Sequence, residues 1–464
     1  MKRLIKLKSL FIYTILFVCI SSCSDYVEVE NKTQRTLSKT DDYGKLLDNY
    51  TSLFKGVYSD PVITSDDIFI EDETLQQNLY NAKAMVYTWG EDEFGSKETD
   101  TDWENLYKQI YYCNVVIDGV MSSEEGTEEE KKELKAEALV HRAFAYWCLV
   151  NMYATQYDST TADTELGVPL LITSDLYTKL DRKPVQKIYS QIIKDLEEAS
   201  SSLEQVSDVN TKPSKEAAYA ILSRTYLFMG MYQLASENAT MALDYNASLI
   251  DLNTYADDPS TLPTLVDNPE IMLGKTVRSY ELSPLNRLSD ELLNLFDQDN
   301  DLRYLLFTAD GSVFSPSYTG RGYYRYMYDT YGYRAYNVYV GPEVPEVILI
   351  KAESEARLGN TNIAISLLNT LRAKRIKTDA YNELTATNAH EALLLVLKER
   401  RLELFGRGFR WFDQKRLNKE TEFAETVERT FRGTTYTLEP NSNKYQYKIG
   451  TDYIELNPEL EQNP

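Results

Sequence analysis

Tyrosine is the chemically distinctive residue of this sequence, and it is most concentrated in SPSYTGRGYYRYMYDTYGYRAYNVYV, residues 315–340. Nine tyrosines lie between Tyr318 and Tyr339, with almost no aliphatic residues among them. A flat aromatic ring covers the apolar face of a sugar, while a phenol hydroxyl reaches polar neighbours. The stretch therefore predicts a surface that binds sugars, and the same rings also suit peptides.

Two segments supply the candidate ligand contacts. Those in residues 251–345 are Tyr280, Tyr318, Arg321, Tyr323 and Tyr324. In YTWGEDEFGSKETD, residues 87–100, Trp89 and Phe94 form a second aromatic loop. Packing of each ring onto the scaffold is the competing interpretation. Long irregular segments on a helical scaffold are usually functional loops, so we expect ligand contacts in residues 251–345.

Catalytic and metal-binding motifs are weak. The two histidines, His141 and His390, lack the spacing of a catalytic triad or a zinc site. Residues 297–301, DQDND, begin like a calcium loop, but Leu302 stands where that loop needs glycine, which favours a solvated helix end. Because the chain has 72 acidic residues, a surface glycoside hydrolase remains the enzymatic alternative. Binding without catalysis, cofactor or metal is the preferred interpretation.

The N-terminus predicts a lipoprotein. A basic start precedes an apolar run at residues 10–20, which is shorter than the roughly 20 residues of a membrane-spanning helix. Ile20-Ser21-Ser22-Cys23 resembles the bacterial lipobox. Residues 1–22 would then be a signal peptide, Cys23 the lipidated residue and residues 23–40 a lipidated tether. An ordinary cleaved signal and an uncleaved anchor are the alternatives.

Charge and cysteine content narrow the class further. The formal net charge of −23 argues against nucleic-acid binding, because an acidic surface repels phosphate. Beyond Cys19 and Cys23, the chain has only Cys113 and Cys148, which cannot form a disulfide framework. A single bridge between these two cysteines stays open.

Apolar periodicity predicts an all-α dominated fold. Residues 103–120 and 134–154 each have apolar residues at helical spacing. Residues 215–246 and 346–375 each predict a helical hairpin of the tetratricopeptide type, with small residues at the crossing and glycine at the turn. The two hairpins lie about 130 residues apart, so they form an interrupted array.

The predicted organisation is one domain over residues 41–464. A helical scaffold comprises residues 41–250 and 346–417. A loop-rich, ligand-facing insert with small strands comprises residues 251–345, and residues 418–464 form an irregular C-terminal segment.

Several motifs, in order along the chain, resemble one known family. They are WENLYKQIYYCNVVI, AEALVHRAFAYWCLVNMY followed by GVPLLI, DNDLR at 299–303, ERRLELFGRGFRWFDQKRL at 399–417 and the closing YIELNPELEQNP. Together they resemble the SusD/RagB family of outer-membrane nutrient-binding lipoproteins. Arg407 departs from the family pattern, which usually has an acid there, and Phe409 stands where histidine is frequent. From their surroundings, we expect Arg410, Trp411 and Asp413 to lock their helix to its neighbours.

The resemblance implies a function and a location. Members of this family capture glycans, or in some branches peptides, with loops on one side of a tetratricopeptide-like scaffold. The resemblance also adds Asp92 to the candidate ligand contacts, because glycan-binding members are expected to offer aromatic residues and acids in the loop that contains Trp89 and Phe94. Members of the family lie on the outer face of the outer membrane, as a lid over a SusC-like TonB-dependent transporter barrel. A scaffold that binds only proteins is the remaining alternative.

Overall fold

Helices form most of the architecture. The computed structural model describes residues 37–79, 81–90, 99–278, 287–313, 319–323, 328–329, 332–333 and 338–464. The α-helices are α1 (Thr40–Leu47), α2 (Pro61–Thr64), α3 (Glu73–Asn78), α4 (Asn81–Thr88), α5 (Thr101–Gly119), α6 (Glu128–Tyr153), α7 (Val185–Ser200), α8 (Lys215–Phe228), α9 (Tyr232–Tyr245), α10 (Asp290–Leu293), α11 (Leu302–Phe307), α12 (Val344–Arg357), α13 (Thr361–Arg372), α14 (Ala389–Leu404), α15 (Phe409–Leu417) and α16 (Thr451–Leu456). The predicted helical fold class is confirmed.

The strands are short and pair only locally. They are β1 (Leu166–Pro169), β2 (Arg182–Pro184), β3 (Thr308–Asp310), β4 (Arg321–Tyr323), β5 (Tyr328–Asp329), β6 (Gly332–Tyr333), β7 (Val427–Phe431) and β8 (Thr434–Leu438). β1 pairs with β2, β3 with β4, β5 with β6 and β7 with β8, each as a two-stranded antiparallel sheet. The β7–β8 hairpin falls in the segment that the sequence predicts to be irregular.

The first predicted helical hairpin is formed by α8 and α9. Gly230 turns the chain between them with φ +71°, a conformation that glycine adopts without steric cost. Ala235, Ala239 and Ala242 of α9 are fully buried, and α9 packs on α8 and α12. These small side chains let the helix axes approach closely.

The second predicted hairpin is formed by α12 and α13. Gly359 has φ +89° at its turn, and Ala352, Ala364 and Leu368 are fully buried. Because α12 also packs on α9 and α14, the two hairpins meet despite their separation in sequence. The interrupted array is therefore continuous in space.

Helix α6 is the axis of the core. Its first turn has a capping box between Thr127 and Glu130, and its last two-thirds are almost wholly buried. Trp147 on α6 makes edge contacts with Phe228 (5.1 Å between ring centroids) and Phe412 (5.4 Å). In the part of the chain that the structure describes, every helix falls short of what spanning a bilayer requires.

Cys113 on α5 and Cys148 on α6 are free, buried thiols. Burial raises the pKa of each to about 12. The disulfide left open by the sequence is not formed, and both cysteines pack as small apolar side chains.

Helices α12, α14 and α15 are joined by buried ion pairs. Asp413 accepts hydrogen bonds from Arg400 Nε (2.8 Å) and Arg416 Nε (2.7 Å). Arg416 also makes two bonds to Glu353 (2.6 and 2.7 Å), which Arg357 contacts at 2.9 Å. Burial alone would raise the pKa of Glu353, but Arg416 and Arg357 outweigh burial and lower that pKa to about 2.

The locking role predicted for Arg410, Trp411 and Asp413 is confirmed. Arg410 makes two hydrogen bonds to Asp66 (2.8 and 2.7 Å), which tie α15 to the segment after α2. The Trp411 ring stacks on Tyr445 with centroids 4.7 Å apart. Asp413 is the buried carboxylate of the cluster described above.

A second buried cluster fixes the insert to α14. Glu403 of α14 accepts hydrogen bonds from Arg303 Nη1 (2.9 Å) and Arg375 Nε (2.9 Å). Arg375 also contacts Glu270 at 2.7 Å, and Arg303 contacts Asp301 at 2.8 Å. One carboxylate of the scaffold therefore holds two parts of the insert, Arg303 directly and Glu270 through Arg375.

Arg407, the departure from the family pattern, is also part of this framework. Its side chain is buried, with Nη1 2.5 Å from Glu343 and Nη2 donating to the Glu403 backbone oxygen (2.8 Å). Glu343 directly precedes α12, so this pair fixes the end of the insert. Because Glu343 and Arg407 lie far apart in sequence, no local pattern predicts this ion pair.

The predicted solvated helix end holds only in part for residues 297–301, because Asp297 and Asp299 are exposed but Asp301, which caps the next helix, is 2% exposed. The Asp301 carboxylate accepts from the Arg303 backbone N–H (3.0 Å) at the start of α11. The same carboxylate pairs with the Arg303 guanidinium, so it is committed within the fold.

The buried amine of Lys275 generates a prediction about pH. Lys275 is fully buried, donates to the Phe54 backbone oxygen (2.6 Å) and lies over the Phe54 and Phe144 rings. Burial lowers its pKa to about 7, whereas the unfolded chain keeps a value near 10.5. Between these two values only the unfolded state holds the proton, so this group makes stability rise with pH.

As the pH rises from about 7 to about 9, we therefore expect the unfolding free energy of the wild type to increase by roughly 2 kcal/mol more than that of Lys275→Met. Urea denaturation at each pH measures this difference. Lys132→Met, at an exposed lysine of α6, serves as the control and should run parallel to the wild type. Parallel curves for Lys275→Met would contradict a depressed pKa at Lys275.

Candidate ligand-binding surface

The segments predicted to contact ligand leave the scaffold at neighbouring points. Arg278 precedes residues 279–286, and Thr101 and Asp102 follow residues 91–98. The Arg278 guanidinium donates from Nε to Asp102 (3.0 Å) and from Nη2 to Thr101 Oγ1 (2.5 Å). The end of one segment and the start of the other are therefore held by one side chain.

The end of the tyrosine-rich stretch joins the same cluster. Val277 donates its backbone N–H to the oxygen of Val338 (2.9 Å), which follows residues 334–337. The next backbone N–H, that of Arg278, donates to Tyr58 O (2.8 Å). Three segments, distant in sequence, thus begin or end within one hydrogen-bonded group.

A second group forms around Arg287, which follows residues 279–286. Its backbone oxygen accepts from Phe69 N–H (2.9 Å), and its guanidinium lies 2.7 Å from the Glu71 carboxylate. Leu288 donates its N–H to the backbone oxygen of Arg321 (2.8 Å) in β4. The segments around residues 69 and 321 therefore meet at Arg287.

Gly320 makes this second junction possible. Its φ is +78°, and a Cβ there would lie 2.0 Å from Arg287 Nε. Only glycine supplies both the left-handed backbone and the space. The approach of β4 to Arg287 depends on this residue.

Two cavities adjoin the Arg287 group. The half-buried ring of Phe69 lines one of about 320 Å³, together with Glu291, Glu425 and Arg429. A second cavity of about 270 Å³ shares Glu291 and Glu425 with it and has an apolar wall that includes Phe423. Phe69, Glu71, Arg287 and Glu291 are named the rim residues below. They offer an aromatic face beside paired carboxylate and guanidinium groups.

Asp100 and Asp102 lie beneath the Arg278 group. Asp100 accepts from Tyr153 Oη (2.8 and 2.9 Å) and from the Trp103 backbone N–H (3.0 Å), which caps α5. Burial raises the pKa of Asp100 to about 8, with the charge of Asp102 adding to the effect. Because its oxygens are occupied and it is 1% exposed, Asp100 fixes α5 rather than exchanging protons with a ligand.

Trp89 requires a correction. Its ring is 2% exposed, its Nε1 donates to Thr64 O (3.0 Å), and the Arg429 guanidinium lies 4.1 Å from the ring centroid. The ring is thus part of the core beneath the surface. The prediction of an exposed sugar platform at Trp89 is not met.

Tyr323 requires the same correction. It is 2% exposed and packs edge-on against Phe405, with centroids 5.0 Å apart. A Cβ on Gly406 would lie 2.5 Å from Tyr323 Cγ, so the turn between α14 and α15 is moulded around this ring. Tyr323 supports the surface from below.

Arg321 is half-buried and mainly structural. Its Nε donates to Thr308 Oγ1 (2.9 Å), its Nη2 donates to Thr308 O (3.2 Å), and its guanidinium lies over the Tyr304 ring. These bonds hold β4 beside β3. Of the remaining candidates, Cys23, Asp92, Phe94, Tyr280, Tyr318 and Tyr324 lie outside the described residues and stay predictions.

Sequence reasoning missed the four rim residues. Each lies in a short segment without a motif, and their proximity results from backbone pairing across more than 200 residues. The bridge between Ile68 and Leu288 sets that register. The aromatic Phe69 within an otherwise polar and aliphatic stretch was the one available signal.

Comparison with known proteins agrees with the geometry. A family model described as "Starch-binding associating with outer membrane" matches residues 25–227, and one described as "SusD family" matches residues 301–464. The SusD-like protein P38 of Formosa agariphila is 22% identical in an alignment that covers 78% of each chain. The first description associates such proteins with the outer membrane.

Solved structures share the fold. A SusD superfamily protein from Bacteroides thetaiotaomicron aligns over 92% of this chain and 100% of its own, with a TM-score of 0.71 and 21% identity. A laminarin-binding SusD-like protein aligns over 92% and 100%, with a TM-score of 0.65 and 18% identity. The family models, the relatives and the fold lead to one conclusion: this chain belongs to the SusD/RagB family.

Proposed function

We propose that this protein binds an oligosaccharide at the cell surface and passes it to a SusC-like TonB-dependent transporter in the outer membrane. The observation that carries the proposal is the anchoring of the predicted ligand segments at the Arg278 and Arg287 groups. Segments fixed at adjacent points can contribute to one binding surface. The family description, with its reference to starch, and the laminarin-binding relative add support.

The rim residues have the chemistry that sugar recognition needs. Phe69 offers a ring face to the apolar side of a sugar, while Glu71 and Arg287 accept and donate hydrogen bonds to hydroxyls. Phe94, Tyr280, Tyr318, Tyr324 and Asp92 are proposed to extend this surface. Trp89 and Tyr323 would act below it, by holding the backbone in position.

The proposed role is binding without catalysis. Asp100, a carboxylate whose pKa is raised by burial, is enclosed and already hydrogen-bonded. A shallow polar surface of this kind binds weakly by itself, and a millimolar Kd corresponds to only about −4 kcal/mol. Capture would be strengthened by several contacts and by enclosure against the transporter.

Binding is tested first at the rim. Titration calorimetry of the detergent-purified full chain against starch, laminarin, other polysaccharides and peptides should identify a glycan ligand. Phe69→Ala and Glu71→Ala should each weaken its binding by about tenfold, since each removes one direct contact. Unchanged affinity in both variants would contradict a site at the rim.

Tyr177→Ala is the matched control. Tyr177 is 95% exposed in the connection between β1 and β2, outside the proposed surface, so its removal should leave affinity unchanged. Binding of peptides without any glycan would replace the proposed ligand class. If the protein captures the transporter barrel but binds neither glycan nor peptide, this would favour a protein-binding scaffold.

Gly320 tests the geometry of the surface. Gly320→Ala should lower both stability and glycan affinity, because its Cβ would clash with Arg287. Gly433→Ala is the control: Gly433 has φ +77° with nothing within 4 Å of its Cβ position, so only backbone strain of about 1–2 kcal/mol is added. Calorimetry measures both affinities. Equal losses in the two variants would show that the approach of β4 to Arg287 does not affect glycan binding.

Anchoring is tested at Cys23. Acyl chains contribute about 0.8 kcal/mol per buried CH₂, so lipidation would hold the protein at the membrane. Cys23→Ala should move the protein from the membrane fraction to the soluble fraction, with glycan affinity unchanged. Continued membrane association of this variant would contradict a lipid anchor at Cys23.

A further inference from the structure

An acidic cavity of about 660 Å³ lies away from the rim residues. It is enclosed by the start of α1, the turn at residues 125–126, the first turns of α6 and the loop at residues 204–213. One face of α6 contributes Glu130, Glu133, Leu134 and Glu137 at helical spacing. This cavity has no part in the proposed glycan site.

Four carboxylates of its wall lack a direct partner. Among the described residues, the side chains of Glu133, Glu137, Glu204 and Asp208 make neither a hydrogen bond nor an ion pair within 4 Å, although Lys212 attracts Glu133 and Glu137 at longer range. Lys212 is the basic residue of the wall, and it is paired with Asp48 at 3.2 Å. The cavity therefore carries a local excess of negative charge.

Glu137 is the most informative of these groups. It is 6% exposed, lines the cavity and has no hydrogen-bond partner. It lies in the third turn of α6, beyond the first turn where a helix dipole favours acids. Its carboxylate faces the cavity instead of a protein donor, so a ligand in the cavity can supply the donor.

The shape of the cavity distinguishes between classes of cation. A metal ion needs several ligands within about 2.6 Å, and no set of three suitable side chains meets this need in the described part of the chain. Leu134, Val209 and Pro213 instead supply apolar wall between the carboxylates. Charges separated by apolar surface match a chain of methylenes with an ammonium group at each end.

We propose that this cavity binds a short linear polyamine, with one ammonium group at Glu137 and another at Glu133, Glu204 or Asp208. The ammonium groups would donate charge-assisted hydrogen bonds, and the methylenes would contact Leu134 and Val209. Glu133 and Glu204 repel each other, and Glu133 repels Glu137, so a bound dication relieves both repulsions.

Binding is linked to pH through Glu137. The groups that face it are Glu133, Asp48 and Lys212. Burial raises the pKa of Glu137 to about 7, with Lys212 opposing and the two carboxylates adding to the rise. Because an ammonium ion binds the ionised carboxylate, affinity increases as pH rises through about 7.

The test is calorimetry of the detergent-purified full chain with spermidine, putrescine, butylamine and calcium chloride, in about 0.15 M salt to screen nonspecific attraction. We expect one spermidine per chain, weaker putrescine, no detectable butylamine and tighter spermidine binding at about pH 8 than at about pH 6. Glu137→Gln should weaken spermidine binding by about tenfold. Glu129→Gln makes the same charge change at an exposed position of α6 outside the cavity, and should bind as the wild type does.

Three outcomes would overturn the proposal. They are no spermidine binding at millimolar concentration, equal binding by Glu137→Gln, and displacement of spermidine by calcium at equal concentration. Should Glu137→Gln fail to fold, Glu133→Gln replaces it, with the same expected loss, since Glu133 is only partly buried. None of these results depends on whether a glycan binds at the rim.

Discussion

The shared carboxylate of Glu403 is the interaction on which the arrangement of this molecule depends. This carboxylate accepts hydrogen bonds from Arg303 and Arg375, which belong to different segments. The backbone oxygen of Glu403 accepts a hydrogen bond from Arg407. Removing one partner of such a buried pair costs about 3–5 kcal/mol, because a charge is left without compensation. The insert and the end of α13 must therefore be in place together before these charges are satisfied. The turn that follows Glu403 packs on Tyr323 of β4, and β4 accepts a backbone hydrogen bond from Leu288, so we expect this framework to help position the Arg287 group.

The helical scaffold was largely predictable because its signals are local. The α8–α9 and α12–α13 hairpins follow from alanine spacing and a glycine at each turn. The ion pairs were not predictable, because their partners lie far apart in sequence and have no period. Glu399, Arg400 and Glu403 of α14 are buried, although charged residues at such spacing usually mark the exposed face of a helix. The β7–β8 hairpin was missed because its short strands lie in a mostly polar segment.

The ligand site stays a prediction at the level of segments, and the structure corrects two of its residues. Composition identifies the tyrosine-rich insert, yet it cannot tell which rings face inward. Trp89 is buried because Arg429, 340 residues later, packs on it, and Tyr323 is buried because the turn at Gly406 accommodates it. Conversely, Phe69, Glu71 and Arg287 gain significance only through the backbone pairing that joins them. Aromatic content alone therefore does not predict which rings lie on the surface.

The dependence of the ligand surface on Glu403 is measured most directly by hydrogen exchange on the Glu403→Gln variant, combined with the affinity of this variant for the identified glycan. If the buried cluster positions the ligand surface, exchange should accelerate at residues 287–290 and 319–323, and affinity should fall, under conditions where β7–β8 stays protected. Glu198→Gln, which disrupts an exposed pair with Lys135, provides the control and should change neither. Unchanged exchange and affinity in Glu403→Gln, or uniform acceleration across the chain, would contradict the account.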